Sequence, residues 1–85
     1  MWHLYLIRCN DGSLYTGITT DVQRRLTDHQ TRRGARRLRG RGPLELVFSQ
    51  QIGDRSLAQQ LEWQIKRWSK AEKERLVRGE TTLPS

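Results

Sequence analysis

Cysteine, proline, acidic residues and long apolar runs are all scarce in this chain, and each shortage closes off a class of protein. One cysteine, Cys9, in 85 residues excludes an intrachain disulfide and supplies no thiolate cluster for zinc. It fits a reducing compartment, and on a strand it reads as a small buried apolar residue. No apolar stretch approaches the roughly 20 residues that a membrane helix needs, so no membrane partner is expected. The opening Met1-Trp2-His3-Leu4-Tyr5 lacks the basic segment and apolar stretch of a secretory leader, and a cytoplasmic location is expected. With 34% hydrophobic residues, the chain has material for one domain and one modest core.

What is abundant is arginine. Lys and Arg number 16 against nine Asp and Glu, a net charge of +7. The excess is lopsided: residues 1–43 hold nine Arg and three Asp (+6), whereas 44–85 hold seven basic and six acidic groups (+1). A basic field confined to one half suits a polyanionic partner better than general solubility. Its centre is residues 31–43, with Arg32, Arg33, Arg36, Arg37, Arg39 and Arg41 among three Gly and one Pro. That composition reads as a surface loop. Six guanidiniums in ten residues repel one another unless an anion neutralises them. With no aromatic between them, contacts to backbone phosphate are expected, without base readout.

The rest of the chain has regular periodicity. Residues 2–8 read as a strand with apolar groups on both faces, Leu4 and Leu6 on one and Tyr5 and Ile7 on the other. Such a strand belongs in the middle of a sheet. Asn10-Asp11-Gly12 turns the chain into a returning strand over 13–19. Thr20 or Asp21 can cap a helix over 22–30 in which Val22 and Leu26 are the apolar pair. Residues 44–48 resume a strand. Asp54 can cap a helix with Leu57, Leu61, Ile65 and Trp68 on one face. Ser69-Lys70-Ala71-Glu72 is a capping box for a last short helix that Gly79 can end. The order β-β-α-β-α-α predicts a small α/β domain over 1–79, with a three-stranded, mainly antiparallel sheet and about three helices, and a flexible tail over 80–85. The alternation of a parallel βαβ fold is missing.

Several residues could carry chemistry. A three-residue loop Asn10-Asp11-Gly12 pairs Tyr5 with Gly17 and Ile7 with Tyr15, which brings both tyrosines to one face. A two-residue turn would separate them. Taken alone, both also read as core aromatics with a wet hydroxyl. Arg25 and His29 lie four apart on the first helix, His29 within the Val22–Leu26 stripe and Arg25 on its border. Phosphate would satisfy both, although Arg25 can snorkel outward and His29 can be a satisfied buried histidine. Glu62 flanks the apolar stripe of the second long helix, and its plainest reading is a solvated ion pair with Lys66.

Together these residues resemble a known family. The stretch from Trp2 to Thr19 is similar to the opening hairpin of GIY-YIG nuclease domains, most of all the small stand-alone bacterial (URI-type) members. Leu4-Tyr5 stands at the first motif and Tyr15-Thr16-Gly17 at the second. Arg25 falls ten residues after Tyr15, at the catalytic arginine, and His29 four later, at the histidine. Leu61-Glu62-Trp63-Gln64-Ile65-Lys66 looks like the segment with the metal-binding glutamate. The first motif has His3-Leu4 in place of Gly-Ile, and no asparagine follows Asn10 to fill the C-terminal asparagine position of larger members. The resemblance implies a metal-dependent endonuclease that hydrolyses phosphodiester bonds, with Tyr5, Tyr15, Arg25, His29 and Glu62 as catalytic residues. Glu62 would hold one Mg²⁺ or Mn²⁺, Arg25 would brace the phosphate, and Tyr5 or Tyr15 would help deprotonate the attacking water. His29 would bond a tyrosine hydroxyl or the phosphate, and Lys66 would make a further phosphate contact. The implied partner is nucleic acid, DNA favoured over RNA, chosen by structure more than by sequence, with a role in DNA repair. The rival reading is a nucleic-acid-binding module that keeps the fold without turnover; a third is a small basic protein docking on ribosomal RNA or on another protein. A core this small also leaves room for a homodimer through Trp2, Trp63 or Trp68.

Overall fold

The structure, a computed structural model, describes residues 1–31 and 43–84. The arginine-rich stretch read above as a surface loop lies outside them. The order of elements is as predicted: β1 (Trp2–Arg8), β2 (Leu14–Thr19), α1 (Val22–Gln30), β3 (Glu45–Gly53), α2 (Arg55–Lys66) and α3 (Lys70–Val77). β1 lies at the centre of the sheet in the order β2-β1-β3, antiparallel to both neighbours.

The first hairpin closes through the three-residue loop. Cys9 N–H donates to the Ser13 carbonyl at 2.9 Å, and Gly12 N–H donates to the Cys9 carbonyl at 2.9 Å. Gly12 takes φ 85°, a left-handed conformation that glycine adopts without Cβ strain. The resulting register pairs Tyr5 with Gly17 and Ile7 with Tyr15.

Because β1 is covered on both faces, its alternating side chains feed two apolar clusters. Leu4 and Leu6 join Leu61, Ile65 and Leu76, with Trp68, Val77 and Leu83 packed alongside. Tyr5, Ile7 and Cys9 form the other cluster with Tyr15, Leu26, Leu44 and Leu46. Cys9 is buried, as its apolar reading requires.

The strand expected over 44–48 continues to Gly53. Its second half, Ser49-Gln50-Gln51, is polar and exposed on an edge strand, and backbone pairing to β1 holds it without an apolar signature. Two register shifts interrupt that pairing, between Trp2 and His3 and between Leu6 and Ile7. They leave Ile52 and Val47 unopposed, and both pack into the Leu4–Ile65 cluster.

A second correction concerns α2. Leu57 is 45% exposed, and the buried stripe is Ala58, Leu61 and Ile65. The two readings share Leu61 and Ile65 and part only in the first turn, where Ala58, about 100° around the helix from Leu57, faces the core. Beyond α3 the chain folds back far enough for Leu83 to reach the core. Asp21, Asp54 and Ser69 cap the three helices, the last with a complete capping box.

A bidentate ion pair ties α3 to the sheet: the Arg8 guanidinium donates to both Glu74 oxygens at 2.7 Å. Lys70 lies 3.8 Å from the same carboxylate. The hydrogen bonds from Arg8 hold the Glu74 carboxyl below its usual range against a smaller opposing effect of burial. A depressed carboxylate contributes stability that is present above its unfolded value and lost as pH falls through the folded one. Glu74→Gln should therefore destabilise the fold by about 1–2 kcal/mol at neutral pH. The gap between variant and parent should close as the medium is acidified below about pH 4.5. Denaturant unfolding at neutral and acid pH checks both halves.

Candidate active site

The site is built on the face of the sheet that carries Tyr5. This tyrosine is 2% exposed and occupies the middle of β1. Opposite it, Gly17 has no side chain, and the Tyr5 ring tip fills the space. A Cβ at position 17 would stand 2.5 Å from the Tyr5 hydroxyl oxygen and 2.6 Å from Cζ. Glycine here serves close approach and has no turn to make.

Tyr15, diagonal to Tyr5 across the hairpin, brings its ring centroid to 6.3 Å from that of Tyr5 at an interplanar angle of 40°. The last turn of α1 delivers the third ring. His29 is 4% exposed; its ring lies 5.5 Å from Tyr15, edge-on at 70°, and its Nε2 is 3.1 Å from the Tyr5 hydroxyl.

The protonation states follow from this packing. Burial pushes the Tyr5 hydroxyl up to about 12; Tyr15 adds to the rise, Arg25 opposes it by hydrogen bonding and charge, and the Glu62 carboxylate raises it further. Burial also lowers the His29 pKa, with Arg25 reinforcing and Asp28 opposing. His29 is therefore a neutral imidazole at pH 7. The direction of the Tyr5–His29 bond follows the imidazole tautomer: with the proton on Nδ1, the Tyr5 O–H donates to Nε2.

Arg25 sits one helical turn before His29 and acts on both Tyr5 and His29. Asp28, three residues on, approaches its guanidinium at 4.0 Å. Asp28 is a site neighbour that the sequence reading misses, although its i, i+3 spacing to Arg25 is the available signal. Glu62 comes from α2, whose apolar stripe packs on the opposite face of the sheet, yet its charge acts on the Tyr5 hydroxyl. Its side chain is 23% exposed and pairs with Lys66 at 3.4 Å. The plain ion-pair reading of Glu62 thus holds alongside its place near the tyrosines.

Five of the residues singled out in the sequence are linked in this way: Tyr5, Tyr15 and His29 by ring contact, and Arg25 and Glu62 by their action on Tyr5. Lys66 joins through Glu62. Arg32, Arg33, Arg36, Arg37, Arg39 and Arg41 lie outside the described residues. No three His, Cys, Asp or Glu side chains converge among the described residues, so there is no all-protein metal cage there. A single carboxylate suits a hard divalent cation that keeps waters and takes substrate phosphate oxygens as its other ligands. To that extent the donor set fits.

An antiparallel three-stranded sheet thus carries an arginine, a histidine and a lone carboxylate around paired tyrosines. The profile of the GIY-YIG catalytic domain matches residues 1–75, and the chain belongs to that family. Among similar proteins, a UPF0213 protein of Yersinia enterocolitica is 60% identical over 77 residues, covering 91% of this chain and 79% of its own. The UPF0213 protein YhbQ of Salmonella arizonae is 56% identical over 84 residues, 99% of this chain and 84% of the relative. A solution structure of a UPF0213 protein from Bacillus halodurans superposes with a TM-score of 0.59 at 42% identity, covering 92% of this chain and 84% of that one.

Gly17→Ala should displace the Tyr5 ring and break its bond to His29. A loss of about 1–3 kcal/mol is expected from the overpacked site, read by chemical denaturation. A Gly17→Ala variant as stable as the parent would show that the Tyr5 tip moves aside freely.

Proposed function

We propose that the protein is a metal-dependent endonuclease that hydrolyses phosphodiester bonds in DNA, selecting its target by structure more than by sequence. The observation that carries this reading is the Tyr5 hydroxyl, held between His29 and Arg25 with Tyr15 against it and Glu62 in electrostatic reach. A merely structural tyrosine needs one hydrogen-bond partner; it does not need two cation-capable side chains and a carboxylate around it.

The two tyrosines divide the work. Tyr5 is buried and keeps its proton to about pH 12, so it stays a neutral hydroxyl bonded to His29. Tyr15 is half-buried, the more exposed of the two tyrosines. The attacking water passes its proton to Tyr15 in its phenolate form, which a cation in the site must favour because a free tyrosine gives up its proton only at about pH 10. Arg25 braces the phosphate and stabilises the charge that develops on its oxygens. A divalent ion, Mg²⁺ or Mn²⁺, held by Glu62 would polarise the phosphoryl group and neutralise charge. Lys66, released from Glu62, and the arginines at 32, 33, 36, 37, 39 and 41 would hold the flanking phosphates.

Arg25→Ala and Glu62→Ala should each lower cleavage by about 10²–10³-fold while the fold persists. The test is a panel of single-stranded, duplex, nicked and branched DNA and RNA with Mg²⁺, Mn²⁺ or chelator. Metal-dependent cutting lost in both variants supports the assignment. Binding without cutting under every condition would make the protein a non-catalytic binding module.

Replacing Arg36, Arg37 and Arg39 with Ala should weaken binding and flatten its salt dependence, by roughly 0.9 in the log–log slope for each duplex phosphate that is no longer neutralised. Titration at several salt concentrations measures it, and an unchanged slope would mean that these side chains do not touch phosphate.

A further inference from the structure

The outward side of α2 carries a feature that the reaction does not use. Trp63 follows Glu62 directly, one step of about 1.5 Å and 100° around the helix, and points away from the buried stripe of Ala58, Leu61 and Ile65. It is 61% exposed. The Arg67 guanidinium lies 4.5 Å from its ring centroid, a cation–π contact that props the indole out from the helix. Around it, Ser56, Gln59, Gln60 and Gln64 line a shallow groove of about 390 Å³.

We propose that Trp63 is a stacking platform for an unpaired base of the substrate strand, placed beside the phosphate that is cut. The inference rests on the proposed function, from which it takes its ligand. An exposed indole offers a face on which any base can stack. The glutamine amides carry both donors and acceptors for base edges. The Arg67 guanidinium at the indole suits the accompanying phosphate, and the protein as a whole carries +7.

That same charge argues against a second copy of the chain as the occupant. Two copies paired through this face would bring together two chains of +7, each with Arg67 at its indole. The lining of Ser and Gln also lacks the apolar residues of a homodimer interface. Paired bases, stacked inside a duplex, would have no free face to offer. The platform therefore favours substrates with an unpaired nucleotide next to the cut.

The test uses oligonucleotides with 2-aminopurine at successive positions of an unpaired arm, in chelator, so that binding is read without cutting. Stacking on Trp63 should quench the probe at one or two positions. Trp63→Ala should abolish the quenching and weaken binding to the unpaired arm roughly tenfold. Trp63→Phe should keep most of both, and binding to a fully paired duplex should not change. Because Trp63 is exposed, thermal unfolding of the Ala variant should match the parent. Trp63→Ala binding and quenching like the parent would overturn the platform while leaving the nuclease reading intact. Quenching that depends on Trp63 in a protein that never cuts would do the reverse. A parent that sediments as a dimer and a Trp63→Ala variant that sediments as a monomer would assign this face to self-association and also overturn the proposal.

Discussion

The register of one hairpin governs the site. Three residues turn the chain between Cys9 and Ser13, and that count sets Tyr5 against Gly17 and Ile7 against Tyr15. Side chains alternate along a strand, so a slip of one residue would send Tyr15 to the opposite face and put Thr16 or Ile18 against Tyr5. Either would occupy the space that the Tyr5 hydroxyl fills over Gly17. The turn residue Gly12 and the mid-strand Gly17 thus serve a single constraint. One makes the loop possible, and the other makes room for what the loop places there.

Around that tyrosine, burial and charge pull in opposite directions. Burial keeps Tyr5 protonated and His29 neutral, which gives a stable donor–acceptor pair in the resting protein. Arg25 supplies the nearby positive charge, moderated by Asp28 at 4.0 Å. A phosphate entering this site would compete with Asp28 for Arg25 and with Glu62 for Lys66, two pairs long enough, at 4.0 and 3.4 Å, to yield at small energetic cost. The Arg8–Glu74 pair differs: short and bidentate, it fastens α3 to the sheet.

Much of the fold is legible in the sequence because its signals are local. Alternation on both faces marks β1 as central, and the caps at Asp21, Asp54 and Ser69 mark the helix starts. The second half of β3 is not legible, since backbone pairing to β1 supports Ser49-Gln50-Gln51 without help from their side chains. Leu57 reads wrongly as core because the stripe of α2 is completed by the small Ala58, which a search for large apolar residues passes over. The site is legible in pieces. The spacing of Tyr5, Gly17 and Tyr15 follows from strand geometry, but nothing local distinguishes Glu62 from any solvated Glu–Lys pair. Its connection to Tyr5 is made through tertiary structure, by a helix whose apolar stripe packs on the other face of the sheet.

That arrangement couples the core to the position of Glu62. The tyrosines and His29 gather on one face, whereas Leu4 and Leu6 hold α2 against the other through Leu61 and Ile65. Glu62 lies between these two residues along α2, so its position is set by the packing of residues that touch none of the polar groups. A core loosened by a single methylene can move a helix without unfolding it. Here such a movement would carry Glu62 and Trp63 with it, whereas Arg25 and His29 would stay with α1. The geometry between carboxylate and tyrosine is therefore a property of the apolar cluster beneath the sheet as much as of the residues that form the site.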